Sequence, residues 1–242
     1  MKSFLKRNRK KIEEELFSKP AWQYFSPIIL SQYKIVLPQI LSFAHGRLID
    51  LGCGKMPYRE TILPYVTQYD GLDLFPQSDQ VKYQCSIEQI DPVIDDSYET
   101  AISIEVLEHV PHPWKAVSEA FRIIKPGGVF ILSVPHLSRL HDVPHDYYRY
   151  TQYGLSALLT DAGFESIQIH EKGGIFSFLG HQFSSFIIPF TWSIPILSQI
   201  TYFLNAWLNS RFLLWLDRVF NTAAILPQGY IAIAFKPTHE KL

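Results

Sequence analysis

The sequence predicts an α/β fold: a mostly parallel sheet with helices on both faces. Three observations predict it. Short apolar stretches of strand character alternate with stretches whose apolar residues recur at helical spacing. One strand candidate, Thr100-Ala101-Ile102-Ser103-Ile104, is a continuous apolar run, as expected of a strand buried on both faces. Another, Arg47-Leu48-Ile49-Asp50-Leu51, ends directly in Gly52-Cys53-Gly54, a turn that lets backbone approach a ligand closely.

Residues 1–45 read as a basic N-terminal segment and a helix. The first eleven residues carry Lys2, Lys6, Arg7, Arg9, Lys10 and Lys11, but Glu13, Glu14 and Glu15 follow in place of an apolar stretch. That pattern is not a secretory signal. It reads as a solvated helix end, with a weak contact to anionic lipid headgroups as the second reading. Between Pro27 and Phe43 apolar residues recur at helical spacing, and Pro38 is expected to kink the helix.

The core is expected over 46–172. Its strands are 47–51, Gln68 to Leu74, Val81 to Cys85, Thr100 to Ile104, Val129 to Val134 and Glu165 to His170. A helix follows Pro113, with Trp114, Val117, Ala120, Phe121 and Ile124 on its apolar side, and Lys125-Pro126-Gly127-Gly128 stops it. Residues 135–151 form a long polar loop rich in His and Tyr. A helix over 153–162 ends at Gly163, and Thr151 is its candidate N-cap. Segment 173–226 is an apolar helical insertion, and 227–242 holds the last strand, Gly229 to Phe235, and a tail.

The 242 residues suit one α/β domain with an inserted subdomain. With 22 Lys and Arg against 23 Asp and Glu, the chain lacks the basic surplus of a general nucleic-acid binder, so no nucleic acid is expected as a partner. The two cysteines, Cys53 and Cys85, form no Cys-x-x-Cys pair, which argues against a zinc knuckle and fits a cytoplasmic setting.

The turn reads Gly52-x-Gly54-x-x-Pro57, so the third glycine of a dinucleotide fingerprint is absent. A nicotinamide-linked oxidoreductase is disfavoured for that reason. An acidic residue about 20 residues beyond such a turn can accept ribose hydroxyls, and Asp73 has that place.

Leu48-Ile49-Asp50-Leu51-Gly52-Cys53-Gly54 resembles motif I of class I S-adenosylmethionine-dependent methyltransferases. Gly71-Leu72-Asp73, residues 97–110 and residues 121–130 resemble the three motifs that follow in that family, in the same order. The resemblance implies a Rossmann-like sheet of seven strands, mostly parallel, with a reversed last strand and the helical insertion before it. It implies S-adenosylmethionine as cofactor and S-adenosylhomocysteine as product. Backbone at Gly52, Cys53 and Gly54, after Asp50, would touch the amino acid moiety. Asp73 would hold the ribose, Leu74 would flank the adenine, and Glu105 would lie under the methionine part. Two positions depart from the pattern: Met56 replaces a common glycine, and Ser86, beside Ile87, replaces the acidic residue that often meets adenine. A serine hydroxyl still accepts a hydrogen bond there.

For the acceptor side, His145-Asp146 offers a base and a carboxylate to orient it, and His109 joins them as a catalytic candidate. The competing reading is a loop pinned by its own hydrogen bonds. The stretch Pro144 to Thr151, with Gly52 to Arg59, resembles bacterial methyltransferases associated with surface-polysaccharide biosynthesis. Glu105, Glu108 and His109 would share one face if a helix starts there, with His145 available to complete a divalent cation site. That metal site is the less favoured reading, and no metal ligand is assigned.

From Gly173 to Ser210 there is no Asp, Glu, Lys or Arg. Pro189 and Pro195 argue against one spanning helix. After Pro195 an apolar stripe runs through Ile196, Leu197, Ile200, Phe203, Leu204, Trp207 and Leu208, and another apolar helix covers 212–220. The segment reads as a packed cap, a lid over a lipid-like acceptor, or a peripheral membrane contact on the inner face. The expected activity is methyl transfer to a small or lipid-linked acceptor, a saccharide oxygen by the second resemblance. The alternative is a non-catalytic, membrane-associated assembly subunit that binds the cofactor.

Overall fold

The computed structural model describes residues 2–17 and 19–238, so residues 239–242 of the expected C-terminal tail lie outside the described residues. The chain divides into two compact units, Met1–Val36 with Glu171–Gln228 and Leu37–His170 with Gly229–Leu242.

The second unit carries the sheet. Its strands are β1 (Arg47–Leu51), β2 (Gln68–Asp73), β3 (Val81–Gln84), β4 (Tyr98–Ile104), β5 (Ile124–Pro135), β6 (Glu165–Lys172) and β7 (Gly229–Phe235), in the order β3-β2-β1-β4-β5-β7-β6. β1 pairs parallel with β2 and β4, β2 with β3, and β4 with β5, while β7 runs antiparallel to β5. The expected seven-stranded sheet with its reversed last strand is therefore present. Strand order reverses between β1 and β4, the place where sheets of this type bind ligands beyond the strand ends.

Burial on both faces explains the apolar runs. Leu48 to Leu51 of β1 and Val129 to Pro135 of β5 are buried at every position. The helix Pro113–Ile123 buries Ala116, Val117, Ala120 and Ile123, which recur at helical spacing. It ends because Ile124 turns extended, and the stretch 125–128, expected as a stop between elements, already belongs to β5. The helix Gln152–Asp161 begins with the expected cap: Thr151 Oγ1 accepts from the Gly154 amide at 3.1 Å. In segment 27–43 the kink takes the form of a widened turn, Gln32–Val36, between the helices Pro27–Ser31 and Leu37–Phe43. Pro38 offers no N–H and crowds the carbonyl four residues back, which favours widening just before it.

The first unit is helical, built on Lys2–Leu16, Ile175–Thr191, Pro195–Leu204 and Leu213–Val219. Ile12, Phe25 and Ile188 form its small apolar centre. Pro189 was expected to interrupt a helix, yet the helix runs through it to Thr191. The carbonyl that Pro189 leaves without a helical donor is that of Ser185, and the Arg9 guanidinium donates to it at 3.1 Å. Asn8 donates to the Pro189 carbonyl at 2.8 Å. At the other end of this helix, the buried Asp217 carboxylate accepts from the amides of Gly174, Phe176 and Ser177 at 2.8–3.0 Å. It satisfies three amides that the helix cannot and meets the positive end of its dipole.

Apart from Ile188 and Pro189, the same helix is inverted. Ser177, Gly180, Ser184 and Ser185 are buried, while Leu179, Phe183, Phe186 and Phe190 are exposed. Asn205, a polar residue between the stripe positions Leu204 and Trp207, is buried and bonds Ser184 Oγ and the carbonyls of Tyr24 and Phe25 at 2.6–3.1 Å. The helix Pro195–Leu204 buries none of its residues. Among the described residues, no helix is long and apolar enough to cross a membrane.

Replacing Asp217 by alanine strands the amides at the start of the helix Ile175–Thr191. The expected outcome is a loss of about 1–3 kcal/mol of stability, read by urea unfolding followed at the far-ultraviolet helical signal.

Candidate functional site

The site begins where β1 ends. The amides of Gly52 and Cys53 both donate to the Leu72 carbonyl, at 2.8 and 3.1 Å. The Gly54 amide donates to Asp73 Oδ2 at 2.8 Å, so the whole turn is tied to β2. Gly52 and Gly54 both have positive φ, +81° and +52°, but for different ends. A Cβ on Gly52 would meet the Val106 side chain at 2.5 Å, so this glycine serves packing. A Cβ on Gly54 would meet nothing within 4 Å. The open backbone at Gly54 is where a ligand can approach.

Met56 takes φ +56°, the left-handed region a glycine would occupy more easily. That conformation costs a non-glycine residue about 1–2 kcal/mol. Its buried side chain reaches under β2: a Cβ on Gly71 would lie 2.9 Å from Met56 Cε and 2.8 Å from Cys53 Sγ. The departure at Met56 and the small residue at Gly71 are thus one packing solution.

Three carboxylates gather at the carboxyl ends of β1, β2 and β4. Asp73 Oδ1 also accepts from the Phe75 amide at 2.8 Å, and Leu74 and Phe75 are exposed beside it. Asp50 is buried and accepts from Tyr69 Oη at 2.5 Å. Burial pushes its carboxyl up to about 7; the Tyr69 hydrogen bond opposes the shift, and the Asp73 charge adds to it. Glu105 is held at φ +56° and accepts from Ser133 Oγ at 2.6 Å. A non-glycine residue in this region is strained, and such strain clusters at functional sites. After β3, Ser86 Oγ accepts from the Glu88 amide at 3.1 Å, and Ile87 is buried in the core. Cys53 is no nucleophile: burial, with the Asp50 and Asp73 charges adding, pushes its thiol up to about 12.

This set of acceptors suits a ligand that offers hydroxyls and carries positive charge. A pyrophosphate approaching Gly54 would meet the Asp73 carboxylate and be repelled.

The polar loop after β5 is pinned by Arg149. Its guanidinium meets both oxygens of Asp146, at 2.6 and 2.8 Å, and donates to the carbonyls of Tyr148 and Arg139 at 2.7 and 2.9 Å. The Asp146 side chain is 1% exposed. The Arg149 guanidinium, despite burial and with the His141 amide helping, holds its carboxyl well below the usual carboxylate range. The expected pairing of Asp146 with His145 is therefore not made, because Arg149 and the His141 amide take the carboxylate. The exposed His145 ring instead lies 3.2 Å from Tyr147 Oη.

The loop folds onto the turn after β4. The amides of Tyr147 and Tyr148 donate to the Glu108 carbonyl, and Tyr150 Oη donates to that of Leu107. His109 Nδ1 lies 2.6 Å from the His145 carbonyl. A carbonyl only accepts, so Nδ1 carries the proton, and in the neutral ring Nε2 keeps a lone pair. Nε2 faces Glu108 Oε1 at 3.7 Å and Asp142 Oδ2 at 3.9 Å.

No helix sets Glu105, Glu108 and His109 on one face. Leu107–His109 forms a single tight turn, and Glu105 turns toward Ser133. Glu108, His109 and His141 come together instead, each offering one ligand atom, all within 4.8 Å of one another. These three are the residues that could hold a cation. His141 escaped the sequence reading because spacing within an irregular loop carries no facing information. The count of histidines in residues 136–145 was its only signal.

A family profile described as a methyltransferase domain matches residues 29–169. The chain is 26% identical over 161 residues to a probable S-adenosylmethionine-dependent methyltransferase of Mycolicibacterium smegmatis, covering 60% of this chain and 61% of that protein. It is 31% identical over 106 residues to a ubiquinone biosynthesis O-methyltransferase of Xanthomonas oryzae, covering 38% of this chain and 44% of that protein. The chain thus spans less than two thirds of the length of these curated relatives. Among solved structures, a Haloferax volcanii methyltransferase in complex with the Trm112 activator matches with a TM-score of 0.59 at 17% identity, covering 100% of this chain and 97% of that one. Phosphoethanolamine N-methyltransferase 2 of Haemonchus contortus matches at 0.58 and 15% identity, over 90% of this chain and 56% of that one. At these identities the structural likeness concerns the fold.

Two outcomes follow from the geometry. Asp50 releases its proton near 3.8 in an unfolded chain and at about 7 in the fold. The wild type should lose stability as pH rises through that window and level off above it. Asp50→Asn, which keeps an acceptor for Tyr69, should show no such loss, so the gap in thermal midpoint opens between pH 4 and 7. Arg149→Ala leaves Asp146 buried without its partner. Hydrogen exchange of the Tyr147, Tyr148 and Tyr150 amides should accelerate by more than about tenfold, with the strands unaffected.

Proposed function

The chain belongs to the methyltransferase domain family, and from that premise we propose that it transfers the methyl group of S-adenosylmethionine to an oxygen of a small or lipid-linked acceptor, a saccharide. The observation that carries this reading is the open backbone at Gly54, tied through its amide to Asp73. Asp73 would accept from the ribose hydroxyls, with Leu74 along the adenine and Ser86 and Ile87 at its edge. Gly52, Cys53 and Gly54 would meet the amino acid moiety, and Asp50 and Glu105 would face the positive end. The missing third glycine fits a cofactor without phosphates.

When bound, the sulfonium supplies an already activated methyl group, so the protein's part is alignment, exclusion of water and removal of a proton. His109 is the proposed base. Its Nε2 takes the proton of the acceptor hydroxyl while Nδ1 stays anchored on the His145 carbonyl. Glu108, buried 3.7 Å from that nitrogen, stabilises the cation that forms. Asp146 acts through Arg149, holding the loop that carries His145. His145 and Tyr147 stand at the exposed rim and would meet the acceptor. The oxygen acceptor is supported by this base and by the O-methyltransferase among the relatives. The saccharide is supported by the stretch Pro144 to Thr151. The proposed setting is the cytoplasm, with the acceptor free or anchored at the inner membrane face.

Calorimetric titration with S-adenosylhomocysteine should show binding that Asp73→Ala weakens at least about tenfold, roughly the worth of a charge-assisted hydrogen bond. Labelled methyl from S-adenosylmethionine should enter fractionated lipid or polysaccharide extracts. His109→Ala should slow that transfer by about 100-fold or more and leave the titration unchanged. Folded protein that binds no S-adenosylhomocysteine would refute the cofactor reading. Binding without transfer to any extract would favour the non-catalytic subunit.

A further inference from the structure

We propose that the helical unit, Met1–Val36 with Glu171–Gln228, seats itself in the headgroup and upper acyl region of an anionic lipid bilayer without crossing it. The inference stands on this unit alone and does not depend on methyl transfer.

The first observation is inversion. In water a helix buries its apolar face and exposes its polar one. In the helix Ile175–Thr191 the buried residues apart from Ile188 and Pro189 are small or polar, and its buried Ser184 bonds the buried Asn205 at 2.6 Å. Small and polar residues inside, apolar residues outside, is the arrangement that suits a surrounding medium unable to hydrogen-bond. Beyond Phe183 of this helix, 58% exposed, large apolar side chains stay exposed through the following stretch: Ile196, Phe203, Trp207 and Phe220 are 76%, 71%, 60% and 62% exposed. Scattered exposed apolar residues are ordinary, but their recurrence from Leu179 to Phe220 is not.

The second observation is charge. The helical unit holds 11 Lys and Arg against 5 Asp and Glu. The sheet unit holds 11 against 18, in a chain of net charge −1. Glu13, Glu14 and Glu15 are exposed on the first helix, so the surplus stands after counting them. Arg7, Lys10, Lys11, Arg211 and Arg218 are exposed. A net basic unit that also exposes apolar side chains is what an anionic lipid surface attracts. The same surplus decides against a second copy of the chain as the occupant, because two such units would repel.

The third observation concerns depth. No described helix can span a bilayer. Exposed Trp207 and Trp215 have the amphipathic ring that prefers the headgroup level. The unit therefore lies in the interface.

The test uses the full chain with vesicles of phosphatidylcholine, with and without about 30% phosphatidylglycerol. Co-sedimentation should occur with the anionic vesicles, at least about tenfold more tightly than with the neutral ones, and should weaken as salt is raised. Lipids brominated on the upper acyl chain should quench tryptophan fluorescence, and Trp207→Phe should remove part of that quenching. The double variant F186E/F203E changes two exposed side chains. It should keep its helical circular dichroism and bind at least about tenfold more weakly. Equal binding to both vesicle types overturns the electrostatic half. Binding without quenching overturns insertion. Protein that self-associates with Trp207 shielded from aqueous quencher, and ignores both vesicle types, overturns the proposal in favour of a second copy.

Discussion

Three amides leaving β1 need acceptors, and β2 supplies them. The Leu72 carbonyl takes those of Gly52 and Cys53, and the Asp73 carboxylate takes that of Gly54. Buried backbone donors are costly to leave unpaired, so the turn can close only in the register that puts Asp73 beside Gly54. β1 lies among parallel neighbours with Leu48, Ile49 and Leu51 fully buried, which forbids a slip of one residue. One hydrogen bond thus sets the position of the open glycine and of the carboxylate together. Met56 and Gly71 hold the underside of the same turn.

The second half of the site depends on a different lock. Arg149 gathers Asp146 and three loop carbonyls, and the loop so shaped places the His145 carbonyl against His109. His145 and Asp146 are neighbours in sequence and do different things in space. Adjacent residues in extended or irregular chain point their side chains apart, so adjacency is a poor guide to pairing. A planar guanidinium that satisfies a carboxylate and three carbonyls at once outcompetes a single imidazole contact.

The helical unit turns the usual logic of burial around. Its polar network is internal and fully engaged at Asn205, and the Asp217 carboxylate closes the start of its longest helix. Hydrogen bonding of this kind specifies one arrangement even where apolar packing is thin. What is left outward is apolar surface on a net basic unit, in a chain whose other unit is acidic.

Legibility in the sequence followed the range of the interactions. The seven strands, the glycine turn, Asp73 and the cap at Thr151 could be read because each depends on a local pattern: an apolar run, a required φ, a residue at a fixed offset. The edges of β5 and the passage of a helix through Pro189 could not, because a distant partner decided them, as Arg9 does for the Ser185 carbonyl. The apolar stripe after Pro195 was visible, but its facing was not: periodicity reports that one side differs from the other, and only tertiary contacts say which side is inside. Likewise the sequence by itself determined that histidines and carboxylates would crowd the loop beyond β5. The tertiary structure alone decided that Asp146 belongs to Arg149 and that His109 meets His141 and Glu108. The contacts of His141 with Glu108 and His109 join residues 33 and 32 positions apart, where no repeat or spacing rule reaches, and Asp146 and Arg149, only three apart, lie in irregular chain where spacing carries no facing information.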